Sequence, residues 1–276
     1  MRSIALALGA SLTWGFADFF GPLKGRTLGA LRVLVYVQLG GLVVIALVVV
    51  AIRGKGPSDL GALFAIPAAI SGTLGLYAYY RGMAVGAMSI VAPIAGISAA
   101  VPVVFGIATG DRPSLWQGFG IAAALGGVFL ASREPGPGGK VAAGVGLALL
   151  AAIGFGCYFP PMHTAGEADF WWASLIFRMT SASVILAAVA IRRPSLTVQP
   201  IQVPVLALIG IGDMLGNLLF AAASTSGLVS ITSVLASLFP IVTVVLARLI
   251  LKERVARSQE AGIALTLAGV ALISAG

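Results

Sequence analysis

The stretch LGGLVVIALVVVAI, from Leu39 to Ile52, is fourteen residues long and contains no charged or polar side chain. Its apolar residues are continuous, whereas the strands of a membrane β-barrel alternate apolar and polar residues. In a bilayer the backbone must satisfy its own hydrogen bonds, and a helix does so within a single segment. The stretch therefore predicts a helix that crosses a membrane.

The composition extends this prediction to the whole chain. Of its 276 residues, 59% are hydrophobic and only 9% are charged, whereas about a quarter of a soluble domain is charged. We expect a multi-pass protein of the cell membrane, surrounded by the lipid bilayer. The net charge of +8 comes without an aromatic nucleic-acid motif and indicates Lys and Arg at lipid headgroups, so no nucleic-acid partner is expected.

Ten transmembrane helices are predicted, since each needs roughly 17 to 25 apolar residues. The hydrophilic segment SREPGPGGK, 132–140, divides an all-α chain into a first five-helix repeat, 1–138, and a second, 139–276. The first five spans are placed near Ile4 to Phe20, Leu28 to Ile52, Ala62 to Gly82, Ala87 to Thr109 and Leu115 to Ala131. The second five are placed near Val141 to Met162, Phe170 to Ile191, Val203 to Thr225, Leu228 to Ile250 and Ala261 to Ser274.

The two halves repeat each other in sequence. The segments WQGFGIAAALGGVFLAS, 116–132, and SQEAGIALTLAGVALIS, 258–274, are identical at nine of 17 aligned positions. Each follows an acid and an arginine, Asp111 with Arg112 or Glu253 with Arg254. With an odd number of spans in each repeat, the second copy enters the membrane from the opposite face, which predicts inverted repeats. Such repeats support alternating access to one central site.

In these features the chain resembles the drug/metabolite transporter superfamily, in the group whose repeats are called EamA domains. The resemblance is carried by Trp14 and Gly15, by PIVTVVLARLILKER from Pro240 to Arg254, and by the last helix, AGIALTLAGVALI. The first repeat matches less closely, because Asp111 replaces the usual Glu and Pro102 lies several residues from the position that aligns with the proline of the second repeat. The resemblance implies ten helices, a central cavity lined from both repeats, and ATP-independent transport of metabolites, amino acids or amphipathic compounds.

Ionisable residues inside predicted spans are costly, so each needs a physical reason. Asp213 lies near the middle of the eighth span, where the first repeat has Gly72, and Asn217 follows one turn later on the same face. Asp213 could carry protons or couple to substrate, or it could pair with Arg178 and fix the packing. Arg178 corresponds to Gln38 of the first repeat, and either could bind an anionic substrate group or support the charge of a nearby acid.

Asp18 is the third ionisable residue within a predicted span. The predicted end of this span at Phe20 places Asp18 near a helix end, where a carboxylate reaches interfacial water at lower cost. A coupling role and an interfacial role are both open for it.

Aromatic side chains complete the expected substrate cavity. Trp14 and Tyr158 come from the equivalent first helices of the two repeats, and Tyr77 and Tyr80 share one face of the third span. Aromatic faces combined with an acid suit an organic cation or zwitterion. Helix packing, or a belt at the membrane interface, is the alternative role for each of these residues.

The sequence as a whole predicts a secondary transporter of small molecules that works as an exporter, with proton coupling and a homodimer left open. No cofactor or metal is expected. An intramembrane enzyme is the main alternative class, but the sequence contains no HExxH or GxSxG motif and no Cys and His cluster. A channel and a non-transporting scaffold are further alternatives, which saturable transport would exclude.

The orientation in the membrane is predicted differently by two arguments. Most loop Lys and Arg residues lie on the side opposite to the termini, and the positive-inside rule then places both termini outside. The resemblance implies that both termini are cytoplasmic.

Overall fold

The structure is a computed structural model that describes residues 1–53, 56–57, 59–86, 88–131, 142–252 and 257–275, and these residues form no β-strand. The predicted linker 132–140 and the pair Glu253 and Arg254 lie outside the described residues. The helices are α1 Arg2–Leu28, α2 Ala30–Arg53, α3 Ala65–Val85, α4 Met88–Gly96, α5 Ala100–Thr109, α6 Leu115–Ala131, α7 Ala142–Arg192, α8 Gln202–Ser224, α9 Val229–Ala236, α10 Phe239–Ile250 and α11 Arg257–Ala275.

The all-helical prediction is confirmed for the described residues, and each predicted span coincides with a helix, part of a long helix or two consecutive helices. The bounds of α6 are those predicted. The predicted fourth span consists of α4 and α5, joined by the short 3-10 turn Ile97–Ala99. The predicted ninth span consists of α9 and α10, separated by Ser237 and Leu238.

Several helices have the length and composition of membrane spans, which makes this a membrane protein. Six stretches among the described residues are long and apolar enough to cross a bilayer: Arg2–Leu28, Ala30–Arg53, Leu60–Val85, Gly144–Arg192, Gln202–Ser224 and Val229–Ile250. The fourth of these is 49 residues long. A helix of that length extends over about 70 Å, more than twice the hydrocarbon thickness of a bilayer.

The first helix is longer than predicted, and this moves Asp18 away from the interface. α1 continues through Pro22 and ends at Leu28, so Asp18 lies in its central part and is only 5% exposed. Proline is tolerated within membrane helices when neighbouring helices support the backbone, and Tyr80 packs against α1 at Gly21 and Gly25. The prediction that Asp18 lies near a helix end was therefore wrong.

The gap of seven residues predicted between the sixth and seventh spans, 163–169, is also wrong, because α7 continues through Ala168. The break in α7 comes at Asp169, where the backbone is extended, with φ −162° and ψ 96°. One carboxylate oxygen of Asp169 accepts hydrogen bonds from the backbone N–H groups of Trp171 at 3.2 Å and Trp172 at 3.3 Å. Asp169 thus caps the helix that begins after the break.

The ends of the two repeats meet in reciprocal contacts. α6 packs against α11, where a Cβ atom on Gly120 would lie 2.7 Å from the carbonyl oxygen of Gly269, and one on Gly127 would lie 2.6 Å from that of Gly262. Gly262 and Gly269 are the positions that align with Gly120 and Gly127. Each glycine therefore contacts the counterpart of the other, as in an interface with two-fold symmetry.

A second link between the two repeats lies at the C-terminal end of α5. The carboxylate of Asp111 accepts a hydrogen bond of 2.9 Å from the backbone N–H of Ser230, in the first turn of α9. Asp111, which marks the repeat in the sequence, therefore connects the first half of the chain to the second.

The approach of α2 to α8 positions the polar centre of the molecule. A Cβ atom on Gly210 would overlap the carbonyl oxygen of Val37, and one on Gly41 would lie 2.7 Å from the carbonyl oxygen of Gly210. Small residues allow helices in lipid to approach this closely. Gln38, the residue after Val37, is thereby brought to the side of α8 that carries Asp213.

Candidate functional site

A cavity lies where the central parts of helices from both halves of the chain meet. Its volume is about 50 Å³, room for roughly three to five water molecules. Most of its wall is aromatic or apolar. The lining residues are Trp14, Asp18, Gln38, Gly72, Thr73, Leu76, Phe155, Tyr158, Phe159, Phe177, Ser181, Asp213, Asn217 and Phe239.

A buried ion pair forms one side of the polar wall. Nη2 of Arg178 lies 2.8 Å from Oδ2 of Asp213, and Nη1 donates a hydrogen bond of 2.5 Å to Oε1 of Gln38. Asn217 donates from Nδ2 to the backbone carbonyl oxygen of Asp213 at 2.9 Å. Arg178 is fully buried and is not among the lining residues, whereas Asp213 and Gln38 reach the cavity.

The sequence leaves two roles open for Asp213, coupling of protons or substrate and packing against Arg178. The contact with Arg178 is the one that the packing role requires, and it balances the two charges inside the protein. Gly41 contributes space for this arrangement, since a Cβ atom there would lie 3.2 Å from Nε of Arg178. Nε itself has no hydrogen-bond partner among the described residues.

Residues that correspond in the two repeats meet in pairs at this site. The rings of Trp14 and Tyr158 pack edge to face with centroids 5.8 Å apart. Gln38 and Arg178 are hydrogen-bonded to each other. Gly72, the counterpart of Asp213, also lines the cavity, and a Cβ atom on it would lie 3.3 Å from the ring of Tyr158.

Asp18 lines the same cavity in a different electrostatic setting. It makes no hydrogen bond or ion pair with any residue that the structure describes, although its side chain is buried. Trp14 lies one helical turn before Asp18 on the same face of α1, and both residues line the cavity. The cavity therefore contains one paired carboxylate and one unpaired carboxylate.

Two predicted aromatic residues lie elsewhere. Tyr77 is half-buried and Tyr80 is buried, but neither is a lining residue of this cavity. Their predicted part in substrate binding stays a prediction. The fully buried tyrosines of α3 are Tyr79 and Tyr80, because the face that α3 turns inward includes these two neighbours and not the pair that helical spacing had grouped.

Some lining residues were missed in the sequence although helical spacing could have found them. Ser181 follows Arg178 by three positions and Phe155 precedes Tyr158 by three, so each shares a face with a predicted residue. Ser181 forms a buried hydrogen bond of 2.7 Å with the hydroxyl of Thr73. Within the described ranges, no group of three or more His, Cys, Asp or Glu residues could hold a metal ion.

Comparison with known proteins identifies the family. The model of the EamA-like transporter family matches the chain twice, over residues 1–133 and 142–275. The chain belongs to the EamA-like transporter family. The two matches agree with the repeat seen in the sequence and in the contact of α6 with α11.

A solved structure agrees with this EamA-like fold. A crystal structure of another protein superposes on the chain with a TM-score of 0.72 and 14% sequence identity, covering 98% of this chain and 95% of the other. At that identity the similarity shows the fold alone. No curated protein sequence matches the chain. The chain is therefore a membrane protein of a transporter family, and its substrate must be argued from its own cavity.

Proposed function

We propose that this protein is a secondary transporter that moves small organic molecules out of the cell by alternating access, with protons as the coupling ion. The candidate substrates are small metabolites, amino acids and amphipathic organic cations. The observation that carries the proposal is the central cavity, whose walls come from both repeats through pairs such as Trp14 with Tyr158. A site between two similar halves can be exposed to either side by movement of one half against the other.

The proposed architecture has ten membrane crossings in two inverted repeats. The break at Asp169 divides a stretch long enough to cross twice. α4 with α5, and α9 with α10, would each form one interrupted crossing. The reciprocal contacts of α6 and α11 support the two-fold relation between the repeats.

The character of the cavity favours a carrier over a channel. A channel needs a continuous polar or carbonyl-lined path, whereas six of the cavity's side chains are aromatic. The lining residues of α1 and α8 are each at most 8% exposed. A small site of this kind suits a molecule that is enclosed during transport.

The test is flux in proteoliposomes with matched tryptophan variants. We expect saturable counterflow for at least one member of a panel of amino acids and primary ammonium compounds. Trp14→Ala should lower kcat/KM at least tenfold, because Trp14 lines the cavity. Trp116→Ala should stay within twofold of wild type, because Trp116 lies on α6 with 63% of its surface exposed.

Two results would count against a carrier. Flux that rises linearly with concentration would indicate a channel, and absence of flux for the whole panel from monodisperse protein would indicate a non-transporting role. Trp14→Phe keeps an aromatic ring against Gly216, which Trp14 contacts. Because Trp14→Phe keeps this packing, comparing it with Trp14→Ala separates an effect on the cavity from an effect on folding.

A further inference from the structure

The two carboxylates of the cavity differ in what surrounds them. Asp213 has Arg178 as a partner at 2.8 Å, so this side of the cavity is close to electrically neutral. Asp18 is 5% exposed and has no hydrogen-bond or ion-pair partner among the described residues. A carboxylate buried without a partner is strongly disfavoured unless a proton or a cation neutralises it.

The neighbours of Asp18 offer it no fixed counter-charge. α2, α3, α8, α9 and α10 pack around α1. Asp213 from α8 and the hydroxyls of Tyr79 and Tyr80 from α3 lie within electrostatic reach of Asp18, and none of these is a cation. α9 has no ionisable residue.

The arginines on the helices around α1 are engaged elsewhere or face away from it. Arg53 pairs with Asp169 and Arg248 with Glu260, while Arg32 donates to the carbonyl oxygen of Ser195. Arg81, on α3, is exposed. None of the Lys and Arg side chains that the structure describes pairs with Asp18, so a proton or a bound cation supplies the matching positive charge.

The wall of the cavity decides between an inorganic and an organic cation. Hard metal cations require about six oxygen ligands. Among the oxygen-bearing lining side chains, Thr73 and Ser181 are hydrogen-bonded to each other, and Gln38 and Asp213 accept hydrogen bonds from Arg178. Asp18, Asn217 and the hydroxyl of Tyr158 remain, which is too few for such a site. The aromatic ring of Trp14 stands on the same helix face as Asp18. An ammonium group is stabilised by a carboxylate and by an aromatic face together.

We propose that Asp18, rather than Asp213, is the ion-binding group of the cavity, and that it binds a small primary ammonium substrate and a proton in alternation. This inference rests on the proposed function and narrows its substrate class. When the ammonium group binds, the proton on Asp18 leaves to solvent, and when the substrate leaves, a proton returns. In each half-cycle Asp18 carries one positive charge, either the ammonium group or the proton. One full exchange therefore moves no net charge across the membrane.

The Arg178 and Asp213 pair has a positioning role in this scheme. It stays neutral through the cycle and holds α7, α8 and Gln38 of α2 together. Asp213→Asn is therefore expected to weaken transport while leaving proton exchange intact. Asp18→Asn is expected to remove proton exchange.

The experiment measures binding and proton release by the purified full chain in weakly buffered detergent. Methylammonium, ethylammonium and propylammonium are the probes, with ethanol and Na⁺ as uncharged and inorganic controls. Wild type should release about one proton for each ammonium bound, and its apparent affinity should fall about tenfold for each pH unit below the range in which Asp18 is ionised. Asp59→Asn, at an exposed cap outside the cavity, should behave like wild type.

The variants decide the assignment. Asp18→Asn should bind at least a hundredfold more weakly and release no proton, Asp18→Glu should still release one, and Asp213→Asn should still release one. Asp18→Asn should also melt no lower than wild type, because asparagine is neutral and close in size to the protonated Asp18 that it replaces. Proton release that persists in Asp18→Asn, that is lost in Asp213→Asn alone, or that Na⁺ elicits equally would overturn the proposal.

Flux measurements test the role of Asp18 and the proposed transport function separately. Binding and proton release at Asp18 without flux in proteoliposomes would uphold the site and overturn transport. Saturable flux whose pH dependence is the same in Asp18→Asn as in wild type would uphold transport and overturn the role of Asp18.

Discussion

Matching positions of the two repeats carry different chemistry at the cavity. The first repeat has Gln38 and Gly72, and the second has Arg178 and Asp213. The two charges of the second repeat lie on different helices and neutralise each other at 2.8 Å, while Gln38 accepts a further hydrogen bond from Arg178. At these positions the second repeat therefore carries two charges where the first carries none, and the two charges come as a pair.

The largest expected effect comes from breaking this pair. Arg178→Gln, which gives the second repeat the residue of the first, leaves Asp213 buried without its partner. Removing one member of a buried pair costs about 3–5 kcal/mol. We expect a large drop in the apparent melting temperature in detergent.

The double variant Arg178→Gln with Asp213→Gly makes both repeats alike at these positions. It should recover part of the lost stability, because no unpaired charge remains. The coupling free energy is obtained from a double-mutant cycle that includes Asp213→Gly alone. Losses that simply add would show that the two residues act independently.

The next effect concerns two glycines of α8, which differ in their distance from the first repeat. A Cβ atom on Gly210 would overlap the carbonyl oxygen of Val37, whereas one on Gly212 would meet only the carbonyl oxygen of Thr13, at 3.8 Å. Gly210→Ala should destabilise the protein by about 1–3 kcal/mol through forced backbone movement. Gly212→Ala should be neutral or stabilising by up to about 1 kcal/mol, since alanine favours the helix.

Melting curves of the two alanine variants in the same detergent provide the measurement. The substitutions are chemically identical and lie two positions apart on one helix, so each controls for the other. Equal melting temperatures would mean that α2 and α8 are not in close contact at Gly210.

Much of this fold follows from the lengths of the continuous apolar stretches, so that part could be predicted from the sequence. Continuous apolar residues with polar ends define α6 to the residue. The interior of a span also reveals its polar residues, so Asp18, Gln38 and Asp213 were identified in the sequence. All three line the cavity.

Other features depend on contacts between helices and could not be predicted from one segment. The first span was predicted to end at Phe20, but α1 continues through Pro22 to Leu28, where packing by Tyr80 supports the longer helix. The rotation of α3 about its axis places Tyr79 inward, and residue spacing cannot give that rotation. The pairing of Arg178 with Asp213, which leaves Asp18 alone, likewise depends on three-dimensional contacts.

The smallest expected effect concerns the corners between the first and second helices of each repeat. In the first repeat Gly29 forms the corner with a positive φ of 89°, which suits glycine. In the second repeat Asp169 forms it with an extended backbone and caps the next helix. The first corner therefore depends on backbone freedom, whereas the second depends on a side chain that also pairs with Arg53 at 2.9 Å.

Substitution of each member of this pair separates the cap from the ion pair. Asp169→Ala should cost about 1–2 kcal/mol from the lost cap alone. Arg53→Ala should cost at most about 1 kcal/mol, because the side chain of Arg53 is 42% exposed and water screens its charge. Asp169→Asn keeps an acceptor for the cap and should fall between them. If Arg53→Ala lowered the melting temperature as much as Asp169→Ala, the ion pair rather than the cap would hold this corner.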